Sequence, residues 1–544
     1  MRFFSTLCAE MVAIFSILLL SGCGGGSSSP PPPPPPGPVE VTVTASGSGK
    51  GTVSSAPAGI DCGSTCTHTF AEGTQVTLTA TPTAGFSFTG WSGACTGTNT
   101  CALAKSGAQS VTANFTASLQ SINHIIFMAQ ENRAFDHYFG HLNDYRVANG
   151  LSADVDGTPA NASNPSADGT STVTPFLMNS VCVENQSPSW NESHTQYNRQ
   201  DPLSATALMD GFVYISSKDA PSNGGFDLEG TRAMGYYDQT ALPYYYFMAT
   251  NFATSDRWFS PLLSRTHPNR MYLMAGTSTG HVYPLPPGAP PLTNKTIFEL
   301  LDENNISWKV YVTNSNSPDP LSGTLFSMYA YAHGAGLKNI VPATQFLTDA
   351  ASGTLPQVAM IEPGYGISDS DEHPATNTPG GSVQRGSAYV SSLINGLMNT
   401  PSWSDSVFIL TWDEGGGFYD HVAPQLTVSP DGIRPSDLAG PPTPDLCYGD
   451  TTHPTCDFIY TGFRVPMILV SPYSNKNSVS HVARDHTSIL KLIEQRFNLP
   501  SLTARDAAQP DMDEFFDFVN PPWRTPPTPP TQPTNGACYI DHLP

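Results

Sequence analysis

Beyond residue 120 the chain alternates short apolar runs with stretches of helical periodicity. Runs at 125–128, 308–312, 358–361, 407–411 and 465–470 are rich in Val, Ile, Phe and Trp and poor in charge, the signature of strands buried on both faces of a sheet. Between them, 296–303, 384–398 and 487–497 repeat apolar residues at three- and four-residue intervals, as amphipathic helices do. This order predicts an α/β domain whose mostly parallel sheet is sandwiched by helices. Ligand chemistry in such sheets gathers beyond the carboxyl ends of the strands. Here those ends carry Glu131-Asn132, Glu362 and Asp413-Glu414.

Residues 39–117 follow a different rhythm. Positions 41–44, 75–80 and 110–115 alternate apolar and polar between Gly-rich turns, which predicts a small, separate all-β module. The α/β unit is expected over 118–525, followed by a Pro-rich tail at 526–544. Ahead of the module, the sequence GGGSSSPPPPPPPGP reads as an extended, semi-rigid tether, because proline fixes φ and favours polyproline II. Near the start, Arg2 precedes an apolar stretch at 11–20, shorter than the roughly 20 residues a membrane-spanning helix needs, so 1–22 is expected to be a signal peptide. Leu20-Ser21-Gly22-Cys23 resembles the lipobox of bacterial lipoproteins. That resemblance implies a lipidated Cys23, a tether over 23–38 and, with Gly24 rather than Asp after the cysteine, sorting to the outer membrane of a Gram-negative cell.

Composition narrows the classes. The 51 prolines and 46 glycines against 12% charged residues describe a loop-rich exported protein. A formal net charge of -22 excludes general affinity for nucleic acid or anionic lipid. With no second apolar span, membrane attachment is expected through the lipid alone. Setting aside Cys8 in the signal and Cys23 on the lipid leaves an even set for disulfides in an oxidising compartment. Short loops suggest Cys62 with Cys66, Cys95 with Cys101 and Cys447 with Cys456, leaving Cys182 for Cys538. The spacing of the first four suits zinc poorly.

Three motifs carry chemistry. In ENRAFDHYFG (131–140) an apolar run stops at a carboxylate and an amide; the plainer reading is a strand end with Phe135, Tyr138 and Phe139 in the core. In SRTHPNRMYLMAGTS (264–278), Thr266 precedes Pro268 and a helical run, placing its hydroxyl near a helix N-terminus that favours an anion such as phosphate. Thr266 could equally cap that helix, and Arg270 is either a phosphate clamp or a helix-face charge. In TWDEGGGFYDHV (411–422), two adjacent acids offer hard oxygen ligands on a glycine-rich backbone, and Asp420-His421 adds a further ligand or donor.

The series ENRAFDHYFG, MDGFV, MGYYDQTALPYYY, THPNR, DEHP and DEGGGFYDHV over 121–525 resembles the bacterial phosphoesterase family of acid phosphatases and non-haemolytic phospholipases C, related to alkaline phosphatase. Residues 39–117 resemble the internalin B-repeat modules of bacterial surface proteins, through GKGTVSSAPAGIDCGSTC, FAEGTQVTLTATPTAGFSFTGWSGAC and SVTANF. The first resemblance implies an alkaline-phosphatase-like fold and metal-dependent hydrolysis of phosphate esters, possible substrates including phospholipid, by a hydroxyl nucleophile. Glu131, Asn132, Asp413 and Glu414 match metal-ligand positions, and Thr266 matches the nucleophile, itself a metal neighbour. His194 and His373 match histidines that hydrogen-bond phosphoryl oxygens, with Asp371 and Glu372 expected to keep His373 protonated. Arg270, His281 and His421 are further phosphate-binding candidates, and His486 a further site member. The donor set favours Ca2+, Mg2+ or Mn2+; the histidines leave room for Zn2+.

Two positions depart from the family pattern. Ala134 stands where Ser is usual, and Ser264-Arg265 replace the Gly-Pro common before the nucleophile, which bears on leaving-group preference rather than on the reacting groups. An adhesin with a silent phosphoesterase-like domain is the competing class; it would be expected to lose the acids and Thr266. An arylsulfatase would require a C/S-x-P-x-R motif, which THPNR is not.

Overall fold

The computed structural model describes residues 37–543 apart from 64–65, 84, 105–106, 314–316, 367–369 and 376–379. The signal, the lipidation site at Cys23 and all but the end of the tether lie outside the described residues. Among those described, no helix is long and apolar enough to cross a membrane.

Residues from Val39 to Ala117 build two four-stranded sheets. One runs in the order Cys66–Phe70, Val39–Ser46, Gln109–Ala117, Phe86–Gly93, and the other Asp61–Cys62, Gly51–Ala56, Thr77–Pro82, Cys101–Ala102. Alternation in Val39–Ser46 sends Val39, Val41 and Val43 inward onto Val53, Leu78, Trp91 and Phe115, forming a core separate from that of the larger domain. The module is seated on the larger domain through Ser48, whose hydroxyl donates to the Phe518 carbonyl at 2.5 Å and whose own carbonyl accepts from Arg524 Nη2 at 2.5 Å.

The larger domain is α/β, as the pattern predicts. Its eight-stranded sheet runs in the order Ile340–Pro342, Trp308–Val312, Val358–Glu362, His124–Gln130, Ser406–Trp412, Met467–Val470, Ala253–Ser255, Val479–Ser480. Every residue of Val358–Glu362 and Ser406–Trp412 is buried, and all but the first of His124–Gln130, so the central strands are covered on both faces and need continuous apolar sequence. The sheet is mostly parallel. Met467–Val470 is the exception, antiparallel to both neighbours, and it begins after Pro466, which cannot donate to a ladder.

Helices cover the sheet along their apolar stripes. Val383–Met398 buries Val390, Leu393, Ile394 and Leu397 and is capped by Ser382, whose hydroxyl accepts from Arg385 N at 3.3 Å. Thr487–Phe497 buries Ile489, Leu490, Leu492 and Ile493 in the same way. Pro243–Asn251 and the short strands at the sheet's edges escaped the pattern, because PYYYFMATN is apolar on nearly every side and shows no helical stripe.

Disulfides join Cys62 to Cys66, Cys95 to Cys101, Cys182 to Cys538 and Cys447 to Cys456. The pair Cys182–Cys538 fastens the Pro-rich tail to the domain. Val181 N donates to Ala537 O at 2.7 Å and Gly536 N to Gln384 Oε1 at 2.8 Å, so this segment is packed chain rather than a free end.

Register explains where the site must be. Gln130 pairs with Trp412, and Ile361 with Met128, so three adjacent strands end together and release Glu131-Asn132, Glu362 and Asp413-Glu414 at one edge.

Candidate active site

The helix Thr266–Ala275 points its first turn at those strand ends. Thr266 makes no capping bond; its Oγ1 donates toward Glu131 Oε2 at 3.3 Å and Asn132 Oδ1 at 3.4 Å. The preceding loop is fixed by Asn269, which accepts from Leu262 N at 3.0 Å and donates to Ser264 O at 2.7 Å. The Asn of THPNR therefore holds the chain that delivers the threonine.

Asp413 is the hub of the acidic end. Its Oδ1 accepts from Asn132 N at 3.0 Å and Glu414 N at 2.9 Å, while Oδ2 faces Arg270 Nε at 3.3 Å. Asn132 sits at φ 60, a left-handed conformation that asparagine tolerates better than most residues. Its carbonyl lies against Gly416, where an added Cβ would meet that oxygen at 2.2 Å, and Gly416 itself has φ +65. The middle glycine of the GGG run is thus required by a close backbone approach. Burial, then the neighbouring Asp413, holds both Glu131 and Glu414 well above the usual carboxylate range.

Arg270, a phosphate-clamp candidate in the sequence, turns its guanidinium to the buried acids of the strand ends. It is 2% exposed and reaches Glu131 Oε1 at 2.8 Å, Glu362 Oε2 at 3.4 Å and Asp413 Oδ2 at 3.3 Å, beneath the cavity floor. Burial opposes its charge, but Tyr365, Glu131, Asp413 and Glu362 more than restore it. The exposed cation beside Thr266 is Arg265.

A cavity of about 540 Å³ opens at Thr266, lined among the described residues by Glu131, Arg265, His267, Tyr365, Asp371 and His373, with Pro284 and Leu325 on its wall. A smaller recess of about 170 Å³ shares Arg265, Thr266 and His373 with it and extends to Asn132 and Gln186.

His373 faces both spaces, with its Nδ1 2.7 Å from Pro374 O. Its pKa is lowered, chiefly by burial, against the opposing charge of Asp371. The expectation of a histidine kept protonated by two acids is corrected here. Glu372 turns away into a nest formed by Tyr245 OH at 2.5 Å, Tyr138 OH at 2.7 Å and Trp412 Nε1 at 3.1 Å, and burial raises its carboxyl to about 7. These three donors come from separate motifs and anchor the turn carrying Asp371 and His373. Pattern reading missed them because each looks like ordinary aromatic core.

Other candidates are not brought into the cavity. His194 is fully buried, its ring nitrogens 2.7 Å from Trp190 O and 3.0 Å from Thr455 O. His281 faces Asp437 at 3.1 Å. His486 is enclosed behind Arg270, and burial followed by that charge lowers its pKa to about 3. His421 lies between Asp136 at 2.7 Å and Asp156 at 3.3 Å. Asp136, Asp420 and His421 present ligand atoms within 4.8 Å of one another, yet Arg464 already pairs with both carboxylates at 2.9 Å, so the cluster carries its own cation.

Comparison with known proteins shows the family. Residues 122–500 match the Phosphoesterase family model, and residues 39–119 match the divergent InlB B-repeat domain. Phospholipase C B of Mycobacterium tuberculosis is 31% identical over 439 residues, covering 74% of this chain and 79% of that protein. A non-specific phospholipase C of Arabidopsis thaliana is 29% identical over 74% of this chain and 72% of its own, and the non-hemolytic phospholipase C of Burkholderia pseudomallei 27% identical over 76% and 61%. An alkaline phosphatase superfamily protein of Vibrio parahaemolyticus aligns loosely, at 10% identity over 68% of this chain and 78% of that one, with a TM-score of 0.30. The chain belongs to the phosphoesterase family and is a hydrolase acting on phosphoric ester bonds.

The cluster around His421 generates a pH test. Burial lowers the His421 pKa, but Asp136 and Asp420 outweigh it, and the net shift is upward. A raised folded-state pKa gives stability that is fully present below about 6.5 and lost as pH rises through the folded value. Denaturant unfolding should therefore show wild type losing its advantage over His421→Gln between pH 6 and pH 8.5. A pH-independent difference would contradict it.

Proposed function

We propose that the chain cleaves the phosphodiester bond of phospholipids, in the manner of a phospholipase C, with Thr266 as nucleophile. The observation that carries this reading is the Thr266 hydroxyl, set at a helix N-terminus on the cavity floor and directed at Glu131 and Asn132. The names of the relatives support the substrate class. In the first step a bond forms between Thr266 Oγ1 and phosphorus as the phosphorus–oxygen bond to the lipid alcohol breaks, the departing alkoxide taking a proton from solvent; water then releases the headgroup phosphate from threonine. Glu131 Oε2, 3.3 Å away, is placed to receive the hydroxyl proton. Arg265 and the helix N-terminus face the phosphoryl oxygens, where fixed positive charge stabilises the transition state.

The donor set fits a divalent cation. Glu131, Asp413 and Glu414 carboxylates, the Asn132 amide oxygen and the Thr266 hydroxyl are hard oxygens, and Glu414 Oε1 is buried with no hydrogen-bond partner. With His421 and His486 outside the cavity, the set favours Ca2+, Mg2+ or Mn2+ over Zn2+. Such an ion would lower the hydroxyl's pKa and neutralise phosphoryl charge. His373, neutral near pH 7 because burial lowers its pKa, bonds Pro374 O through Nδ1 and is suited to accept a proton from the attacking water.

The test is a side-by-side assay of p-nitrophenyl phosphate, a p-nitrophenyl diester and phosphatidyl lipids. Turnover confined to the monoester would make the protein a phosphomonoesterase instead. Thr266→Ala should lower kcat at least about 1,000-fold with an unchanged melting temperature. Chelation should abolish activity, and Asp413→Asn should lose bound metal by elemental analysis; full activity in a metal-free preparation would overturn the metal assignment.

Location follows from the lipobox-like Cys23, which we take as a lipid anchor at the outer membrane. Cys23→Ser should move the protein from the membrane fraction to the soluble one at equal specific activity, and unchanged fractionation would refute the anchor.

A further inference from the structure

The recess beside Thr266 has a chemistry unlike that of the main cavity. Its described lining is Asn132, Asn185, Gln186, Ser187, Pro188 and Asp219, besides the shared Arg265, Thr266 and His373, with no Phe, Tyr or Trp among them. Gln186 is 0% exposed, and neither its amide oxygen nor its amide nitrogen has a hydrogen-bond partner; the side-chain oxygen of Asn185 is likewise buried and unpartnered. Leaving a buried amide unpaired is costly, so a side chain left this way beside a reactive hydroxyl points to a ligand that completes it.

A phosphodiester at Thr266 has two ester arms, and two spaces meet there. The main cavity, with Pro284, Leu325, Tyr365 and Pro374 on its walls, suits the lipid alcohol. The polar recess suits the headgroup. The kind of headgroup follows from hydrogen-bonding capacity. Gln186 presents one acceptor and a pair of donors, which a hydroxyl, being donor and acceptor at once, can satisfy. A primary ammonium only donates and leaves the amide nitrogen unpaired; a trimethylammonium does neither, and its usual recognition by an aromatic cage has no counterpart here.

We propose that this recess is a headgroup subsite selecting a hydroxyl-bearing, uncharged headgroup of the glycerol or other polyol type over ethanolamine and choline, with Gln186 as the specificity-determining residue. The proposal rests on the phosphoesterase site at Thr266 proposed above and deepens it by naming the substrate class.

The test uses binding, so that turnover does not intervene. Metal-replete Thr266→Ala protein is titrated calorimetrically with glycerol 3-phosphate, phosphoethanolamine, phosphocholine and inorganic phosphate. Glycerol 3-phosphate should bind at least fivefold more tightly than phosphocholine, with phosphoethanolamine between them. Adding Gln186→Leu should cut that margin below twofold while leaving inorganic phosphate affinity unchanged; Asn185→Leu serves the same purpose should the Gln186 variant misfold. Equal or tighter binding of phosphocholine, or a margin that survives both substitutions, overturns the subsite. Inorganic phosphate that fails to bind overturns the phosphate site at Thr266 instead, and the recess with it.

Discussion

A single buried guanidinium holds this site together. Arg270 ties Glu131, Glu362 and Asp413, which leave three neighbouring strands, to the helix that begins with Thr266. Three carboxylates could not be gathered at one sheet edge without compensation, since burial and then the neighbouring Asp413 drive Glu131 well above its ordinary pKa. Removing one partner from such a buried set typically costs about 3–5 kcal/mol, because the remaining charges lose their counterion. The arginine that resembles a phosphate clamp in sequence is, in the fold, the cation that allows the acidic edge to exist.

Around that pairing the motifs acquire distinct physical duties. Asn269 fixes the loop before Thr266, and Gly416 yields space to the Asn132 carbonyl. Tyr138, Tyr245 and Trp412 converge on Glu372, whose own backbone has φ 67, and so set the turn that aims Asp371 and His373 at the cavity. Segments far apart in the chain are thereby coupled through one buried carboxyl. The β-module lies outside this machinery, its seat on the larger domain made through Ser48, Phe518 and Arg524.

Much of this was legible in the chain, for reasons that also mark the limits. Continuous apolar runs identify buried parallel strands, and an acid directly after such a run is conspicuous; hence Glu131, Asp413 and Glu414 could be read without coordinates. Short loops suggested three of the disulfide pairs the structure contains, and the two remaining cysteines the fourth. The histidines were read poorly. His194, His281, His421 and His486 look alike in sequence, yet each is engaged or enclosed by groups distant along the chain, such as Thr455 for His194 and Asp437 for His281. Burial depth likewise reversed the expected protonation of His373, since the effect of enclosure outweighs the adjacent Asp371. Gln186 carries no motif at all, and only its lack of partners in the folded chain distinguishes it.

The proposed role of Thr266 requires that it become covalently bonded to phosphorus during turnover. Rapid acid quench of the enzyme with a slowly hydrolysed phosphodiester, followed by peptide mass spectrometry, tests it most directly. A phosphoryl group still bearing the unreleased ester arm, on the peptide containing Thr266 and formed at least as fast as turnover, is the predicted result. A fully active enzyme that never carries phosphorus on that peptide, with the label found on another residue or on none, would contradict it.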